Sequence, residues 1–206
     1  MHKATIGIMG GTFNPIHLGH LVTAEEAFYQ FNLDRVIFIP TGIPPHKKDE
    51  EIALPEDRYL MTVIATASNP HFEVSRIEID RKGPSYTIDT VYEIHERYGE
   101  DTEIYFVTGA DAIFEILTWK DTEQIYSLCR FIAATRPGYS LKRFQEHHLL
   151  PEKKNENIKP KVSFMEIPAL AISSTDIRRR IKEVKPIGYL VPEGVENYIN
   201  KRKLYR

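Results

Sequence analysis

Cysteine is almost absent from this sequence, Cys129 being the only one among 206 residues. A disulfide within the chain and a cysteine-built metal site are therefore excluded, which agrees with a reducing compartment. Cys129 falls in the apolar run Leu128-Cys129-Arg130-Phe131-Ile132, where a free thiol acts as a small buried group. A surplus of either charge is lacking too. Lys and Arg number 27 against 29 Asp and Glu, a formal net charge of −2, so broad neutralisation of a nucleic-acid backbone is excluded and any phosphate recognition has to be local. No apolar run reaches the length of a signal-peptide core or a membrane span. The expectation is a soluble, cytoplasmic protein with neither a membrane nor a nucleic-acid partner. Internal repeats and low-complexity linkers are missing as well, and the length suits one well-filled domain, residues 1–206, better than two.

What is present alternates between strand and helix patterns. Ile6-Gly7-Ile8-Met9, Arg35 to Pro40, Phe72 to Ile77 with Ile79, Glu103 to Thr108, Arg130 to Thr135 and Val162 to Ile167 read as strands. Helical periodicity follows from Ile16, from Pro55 to about Ser68, from Thr87 to Tyr98, from Gly109 to about Leu117, and again from Ser173. Residues 139–161 read as a helix and then a polar loop. Strands separated by helices predict an α/β protein, Rossmann-like and doubly wound, with a mostly parallel sheet and helices on both faces.

The most informative stretch is Gly10-Gly11-Thr12-Phe13-Asn14-Pro15-Ile16-His17-Leu18-Gly19-His20, directly after the first strand. Paired glycines let the backbone approach a ligand closely, and a following helix offers amides and a positive dipole end to an anion. His17 and His20, three apart, share the face of its first turn. Leu18, Leu21, Val22, Phe28 and Phe31 form the expected core stripe of that helix, and Asn14 is an acceptor able to cap it. A zinc site would need further ligands, and Glu25 and Glu26 lie more than a turn away. A helix decorated by two surface histidines is the plain alternative.

A second helix start is Ile172-Ser173-Ser174-Thr175-Asp176-Ile177-Arg178. Ser173 and Asp176 approximate a capping box, with Ile177, Ile181 and Val184 as the core stripe. The same residues bring three hydroxyls and an arginine to a helix amino terminus, which is also an anion site. Arg179 and Arg180 read as solvated charges. Gly83-Pro84-Ser85-Tyr86-Thr87 makes a turn whose amides and hydroxyl suit a carboxylate or ring, or merely cap a helix. Gly109-Ala110-Asp111 ends a strand where an acid can accept from a ribose diol, or again cap a helix. Trp119 in a polar setting can stack on an aromatic ring or pack. Pro44-Pro45-His46-Lys47 is a rigid loop whose lysine has the same two readings, ligand or solvent.

Together these motifs resemble the His-x-Gly-His nucleotidyltransferases, and among them the bacterial nicotinate-nucleotide adenylyltransferase family. Family members often carry Asp where this chain has Asn14. The resemblance implies ATP bound by Gly10, Gly11, Thr12, Phe13, His20, Gly109, Asp111, Ser173, Ser174, Thr175 and Arg178, with Arg178 on the β- and γ-phosphates. It implies nicotinate mononucleotide bound by Lys47, Tyr86, Thr87, Trp119 and Arg136, with Trp119 stacked on the ring. Candidate catalytic residues are His17, His20, Lys47 and Arg178. An acceptor phosphate is already an anion, so alignment and charge neutralisation suffice and no general base is required. Magnesium is expected to arrive with ATP, held by phosphate oxygens and water and not by a protein carboxylate cage. A homo-oligomer is permitted. Related transferases acting on nicotinamide mononucleotide, phosphopantetheine or a phospho-alcohol share the His-x-Gly-His logic. A nucleotide-binding regulator without turnover is the reading from another class.

Overall fold

The computed structural model describes residues 3–44, 52–116, 119–138, 162–168 and 171–206. Runs rich in Ile, Val and Phe become β1 (Thr5–Gly11), β2 (Arg35–Pro40), β3 (Phe72–Val74), β4 (Glu103–Gly109), β5 (Cys129–Thr135) and β6 (Val162–Glu166). They form one sheet in the order β3-β2-β1-β4-β5-β6. Every neighbouring pair is parallel. Parallel neighbours require crossovers, and among the described residues helices supply those from β1 to β5. These are α1 (Leu18–Gln30), α2 (Pro55–Thr66), α3 (Ile77–Asp80), α4 (Thr87–Tyr98), α5 (Ala110–Ile116) and α6 (Thr122–Leu128), followed by α7 (Ser174–Lys182) and α8 (Glu193–Arg202).

Strand periodicity divides the apolar side chains between two cores, one on each face of the sheet. Ile37 and Ile39 of β2, with Phe131 and Ala133 of β5, pack against Ile88, Val91 and Ile94 of α4 and Ile113 of α5. Their neighbours Val36, Phe38, Ile132 and Ala134 turn the other way, toward Ala24 and Ala27 of α1, Met61 of α2, Ile177 of α7 and Val195 of α8. Helices therefore cover both faces, as the alternating pattern predicts.

Several local expectations need correction. The third strand ends at Val74, and Ile77–Asp80 are helical. Ser75 makes the last bond to β2, its amide donating to the Phe38 carbonyl at 2.9 Å. Its hydroxyl then accepts from the Ile77 amide at 3.3 Å and turns the chain. In α1 the fully buried positions are the small residues Thr23, Ala24 and Ala27, which let the helix lie close to the sheet. Leu21, Phe28 and Phe31 are only half-buried at its edges. Val184 does not continue the α7 stripe: it lies past the helix in the left-handed region and is 92% exposed. Residues 139–161 lie outside the described residues.

The chain winds from β1 outward through β2 to β3, then returns to the centre and winds the other way from β4 to β6. The carboxyl ends of β1 and β4 consequently flank the point where the strand order reverses, which is where open α/β sheets bind ligands.

Candidate active site

β1 ends in Gly10-Gly11, and the chain turns through Phe13, whose φ of +46° is left-handed. That conformation is uncommon for a bulky residue. Here it drives the ring into the core, 3% exposed, with its edge against the His20 ring at 5.1 Å. Phe13 thus supports a histidine and lines neither cavity described below with its side chain. His17 occupies the cap position of α1. The two imidazoles stack with centroids 3.7 Å apart. The His17 amide donates to His20 Nδ1 at 3.2 Å, so a neutral His20 carries its proton on Nε2 and can donate from there.

Gly19 makes this stacking feasible, because a Cβ at that position would lie 3.0 Å from His17 Nδ1 and 3.1 Å from Cε1. Gly19→Ala is expected to push the His17 ring aside and to lower kcat about tenfold, with a melting temperature close to that of the parent, as steady-state kinetics and thermal unfolding would show. The helix start offers an anion less than the sequence suggests. The Leu18 amide donates to the Leu190 carbonyl at 3.0 Å, and the His20 amide to the His17 carbonyl at 3.0 Å. Asn14 does not cap α1 either. Its Oδ1 accepts from the Ala53 amide at 3.0 Å and from the Tyr205 hydroxyl at 2.8 Å.

Burial lowers the His17 imidazole from its ordinary 6.5 to about 4. Burial, and then the proximity of His17, push His20 well below 6.5 as well. Both rings are therefore neutral at pH 7 in the free protein and are hydrogen-bond donors or acceptors, not fixed cations. In the unfolded chain the same rings bind protons below pH 6.5, so between that value and about 4 the unfolded state holds more protons and stability falls as the pH falls. For His17 alone the loss approaches about 3 kcal/mol at the acid end of that window. Urea unfolding of the parent and of His17→Asn at pH 7 and pH 4.5 checks this: the variant is expected to lose clearly less stability between the two values.

Two cavities open at the carboxyl ends of β1 and β4. The first, about 440 Å³, is lined by Gly10, His17, Gly19 and His20 on one side, and by Thr108, Gly109 and Asp111 at the end of β4 on the other. Arg136, just past β5, lines this cavity too, whereas the resemblance associates it with the mononucleotide. The second cavity, about 540 Å³, has Gly10, Gly11 and Thr12 along one wall and Tyr86, Thr87 and Trp119 along another. The Trp119 and Phe106 rings meet edge to face, with centroids 5.5 Å apart. Lys120 adds a cation that lies 5.0 Å from the Tyr86 ring centroid. Gly10 and Thr108 line both cavities, so the two meet over the strand ends.

The second motif is brought against the first. Ser174 Oγ donates to the Pro15 carbonyl at 2.9 Å, and Arg178 Nη1 to the Asn14 carbonyl at 2.9 Å. Arg178 Nε is buried and makes no hydrogen bond among the described residues. Ser173 caps α7 by accepting from the Asp176 amide at 3.1 Å, but Asp176 completes no capping box, since its carboxylate pairs with Arg179 and with Arg180 at 2.7 Å. Ser173 and Thr175 are exposed. The neighbouring Ile172 lines the first cavity. Lys47 lies outside the described residues.

Some supporting residues carried no signal in the sequence. Arg58, 1% exposed, donates to the carbonyls of Ala53 at 3.0 Å, Thr12 at 2.7 Å and Gly42 at 3.0 Å. Glu78 lines the second cavity and accepts from Thr90 Oγ1 at 2.9 Å. Burial raises its carboxyl above the usual range, against the lowering effects of Thr90 and Arg81. Both lie in stretches whose patterns, a helix from Pro55 and a strand carried on to Ile79, mark neither residue as functional. Among the described residues no group of three or more His, Cys, Asp or Glu side chains could hold a metal ion, and no helix is long and apolar enough to cross a membrane.

Comparison with known proteins gives the family. The cytidylyltransferase-like family pattern matches residues 8–180. A protein of Moorella thermoacetica named "Probable nicotinate-nucleotide adenylyltransferase" is 59% identical over 201 residues, 98% of this chain and 91% of its own length. One of the same name from Thermoanaerobacter sp. is 54% identical over 98% of this chain and 94% of its own. Among solved structures, nicotinic acid mononucleotide adenylyltransferase of Plasmodium falciparum in complex with NaAD shares the fold with a TM-score of 0.78 at 20% identity, over 99% of this chain and 98% of that one. Both nucleotidyltransferase motifs, the sheet order and these full-length matches lead to one conclusion: the chain belongs to the cytidylyltransferase-like family and, within it, to the nicotinate-nucleotide adenylyltransferases.

Proposed function

We propose that this enzyme joins nicotinate mononucleotide to ATP, forming nicotinate adenine dinucleotide and pyrophosphate in NAD biosynthesis in the cytoplasm. The observation that carries the reading is the pair of cavities meeting at Gly10 and Thr108, with His17 and His20 lining the first. The first takes ATP and the second the mononucleotide, whose ring lies against Trp119 and whose turn Tyr86-Thr87 supplies polar contacts. A 5′-phosphate oxygen of the acceptor attacks the α-phosphorus of ATP, the bond to the β-phosphate oxygen breaks, and pyrophosphate leaves with that electron pair.

No proton has to be removed from the attacking phosphate, so the protein's work is alignment and charge stabilisation. His20, with its proton fixed on Nε2, donates to the α-phosphate as charge builds on the nonbridging oxygens. His17 positions the phosphates beside it. Arg178, whose Nε is buried without a partner among the described residues, is close enough to the His loop to exchange its Asn14 contact for the leaving pyrophosphate. Lys47 is assigned to the same phosphates. Gly109 and Asp111 face the ribose of ATP. The first cavity holds a single carboxylate among its described lining residues, Asp111, a donor set that fits a magnesium ion carried in on ATP phosphates and water. Bound there, magnesium supplies neutralisation of the triphosphate charge.

Labelling tests the route of the atoms. With ATP labelled at the α-phosphorus and nicotinate mononucleotide as acceptor, the label is expected wholly in the dinucleotide, and a second sample labelled at the γ-phosphorus is expected to give labelled pyrophosphate. Label from the γ-position in the acceptor product would mean phosphoryl transfer and would sink the proposal.

A further inference from the structure

The loop that presents the histidines is held from a distant part of the chain. Asn14, 6% exposed, lies three residues before His17 and is a junction. Its side-chain oxygen accepts from the Ala53 amide and the Tyr205 hydroxyl, and its carbonyl accepts from Arg178. Tyr205 is 191 residues away in sequence and reaches Asn14 at 2.8 Å.

The route of the chain to that contact is closely specified. Asp57, in the first turn of α2, accepts from the Tyr198 hydroxyl at 2.7 Å and from Arg202 Nε at 3.1 Å, which anchors α8 to α2. Lys203 is left-handed and the Leu204 amide donates back to the Ile199 carbonyl at 3.1 Å, reversing the chain. Tyr205 is left-handed as well. Two left-handed non-glycine residues with one residue between them persist only where surrounding contacts over-determine them. The Tyr205 ring packs against the second core, for which phenylalanine would serve equally well. The hydroxyl is therefore the part that packing does not explain.

We infer that Tyr205 is a positioning residue for the transfer: its hydroxyl, acting through Asn14, fixes the loop that carries His17 and His20 at the first cavity. The inference rests on reading that cavity as the seat of adenylyl transfer. A shift at Asn14 passes on to His17, because the segment between them has little slack: the Pro15 carbonyl is held by Ser174 and Ile16 is fully buried. Displacements well below an ångström are enough to slow a reaction that depends on alignment.

The test is Tyr205→Phe, which keeps the ring and removes the hydroxyl, measured beside Asn14→Ala and the double variant. Tyr205→Phe is expected to lower kcat three- to tenfold, the effect of about one neutral hydrogen bond, with KM for ATP within twofold of the parent. In the Asn14→Ala background the same change is expected to cost nothing more, since its route is already cut. Imidazole NMR shifts of His17 and His20 in the folded Tyr205→Phe protein are expected to move, which a merely structural role would leave in place. Unchanged kcat with unmoved imidazole shifts overturns the inference, and so do fully additive losses in the double variant. A parent protein that releases no pyrophosphate overturns the reading of the site and this inference with it, whereas an active parent with an indifferent Tyr205→Phe variant overturns the inference alone.

Discussion

His20→Ala is expected to lower kcat by about a hundred- to a thousandfold, the range seen when one donor to a developing oxyanion is removed. The size follows from how the ring is prepared. Its Nδ1 is committed to the His17 amide, one face stacks on His17 and an edge of Phe13 meets it, so its Nε2 proton is aimed before substrate arrives. Because the ring is neutral when free, it does not bind ground-state phosphate as a permanent cation would. Its contribution grows with the charge of the transition state, and the loss is expected in kcat more than in KM. The bond from the His17 amide and the ring contacts with His17 and Phe13 are lost to the fold, about 1–3 kcal/mol together, so circular dichroism should match the parent while the urea midpoint falls moderately. A variant with kcat within fivefold of the parent would remove His20 from the chemistry.

Arg58→Met is expected to be the most damaging change to stability, by about 4 kcal/mol or more. Among the described residues Arg58 has no carboxylate hydrogen-bond partner, and its guanidinium is spent on three carbonyls, those of Thr12, Gly42 and Ala53. Methionine fills much of the volume but leaves those carbonyls unpaired, and an orphaned buried acceptor costs about 1–3 kcal/mol. A loss of this size is a large part of the 5–15 kcal/mol that domains commonly possess. Gly42 cannot move to compensate: a Cβ there would lie 2.0 Å from the Glu78 carbonyl oxygen, so the two backbones are already in contact. Arg58→Lys retains the charge but satisfies fewer carbonyls, and is expected to recover part of the loss. Urea unfolding with the parent m-value checks both. An unfolding free energy for Arg58→Met within about 0.5 kcal/mol of the parent would show that water replaces the guanidinium at no cost.

The architecture was legible in the sequence because buried parallel strands read as continuous apolar runs, and β2, β4 and β5 carry such runs over Val36–Pro40, Ile104–Val107 and Phe131–Ala134. The edge strand β3 was legible at its start, Phe72-Glu73-Val74, but not at its end, since the alternation that marks it runs on to Ile79 through residues that turn helical. The His and Ser-Ser-Thr motifs were legible as helix starts with unusual chemistry. That they would be clamped onto each other through the Asn14 and Pro15 carbonyls was not, because a backbone acceptor leaves no mark on residue type. Arg58 and Glu78 were invisible for a related reason: charged residues are nearly always solvated, and only the fold shows these two beneath loops that meet. Asn14 was read as a local cap because its strongest partners, Ala53 and Tyr205, are remote in sequence.

The most direct measurement is the initial rate of pyrophosphate release from ATP and magnesium, with nicotinate mononucleotide, nicotinamide mononucleotide and phosphopantetheine supplied separately. The two joined cavities with Trp119 in the second predict fast release with nicotinate mononucleotide and little or none with phosphopantetheine, the nicotinamide rate reporting how strictly the ring carboxylate is read. Release with phosphopantetheine alone, or with none of the three, would contradict the assignment of the second cavity to a pyridine mononucleotide.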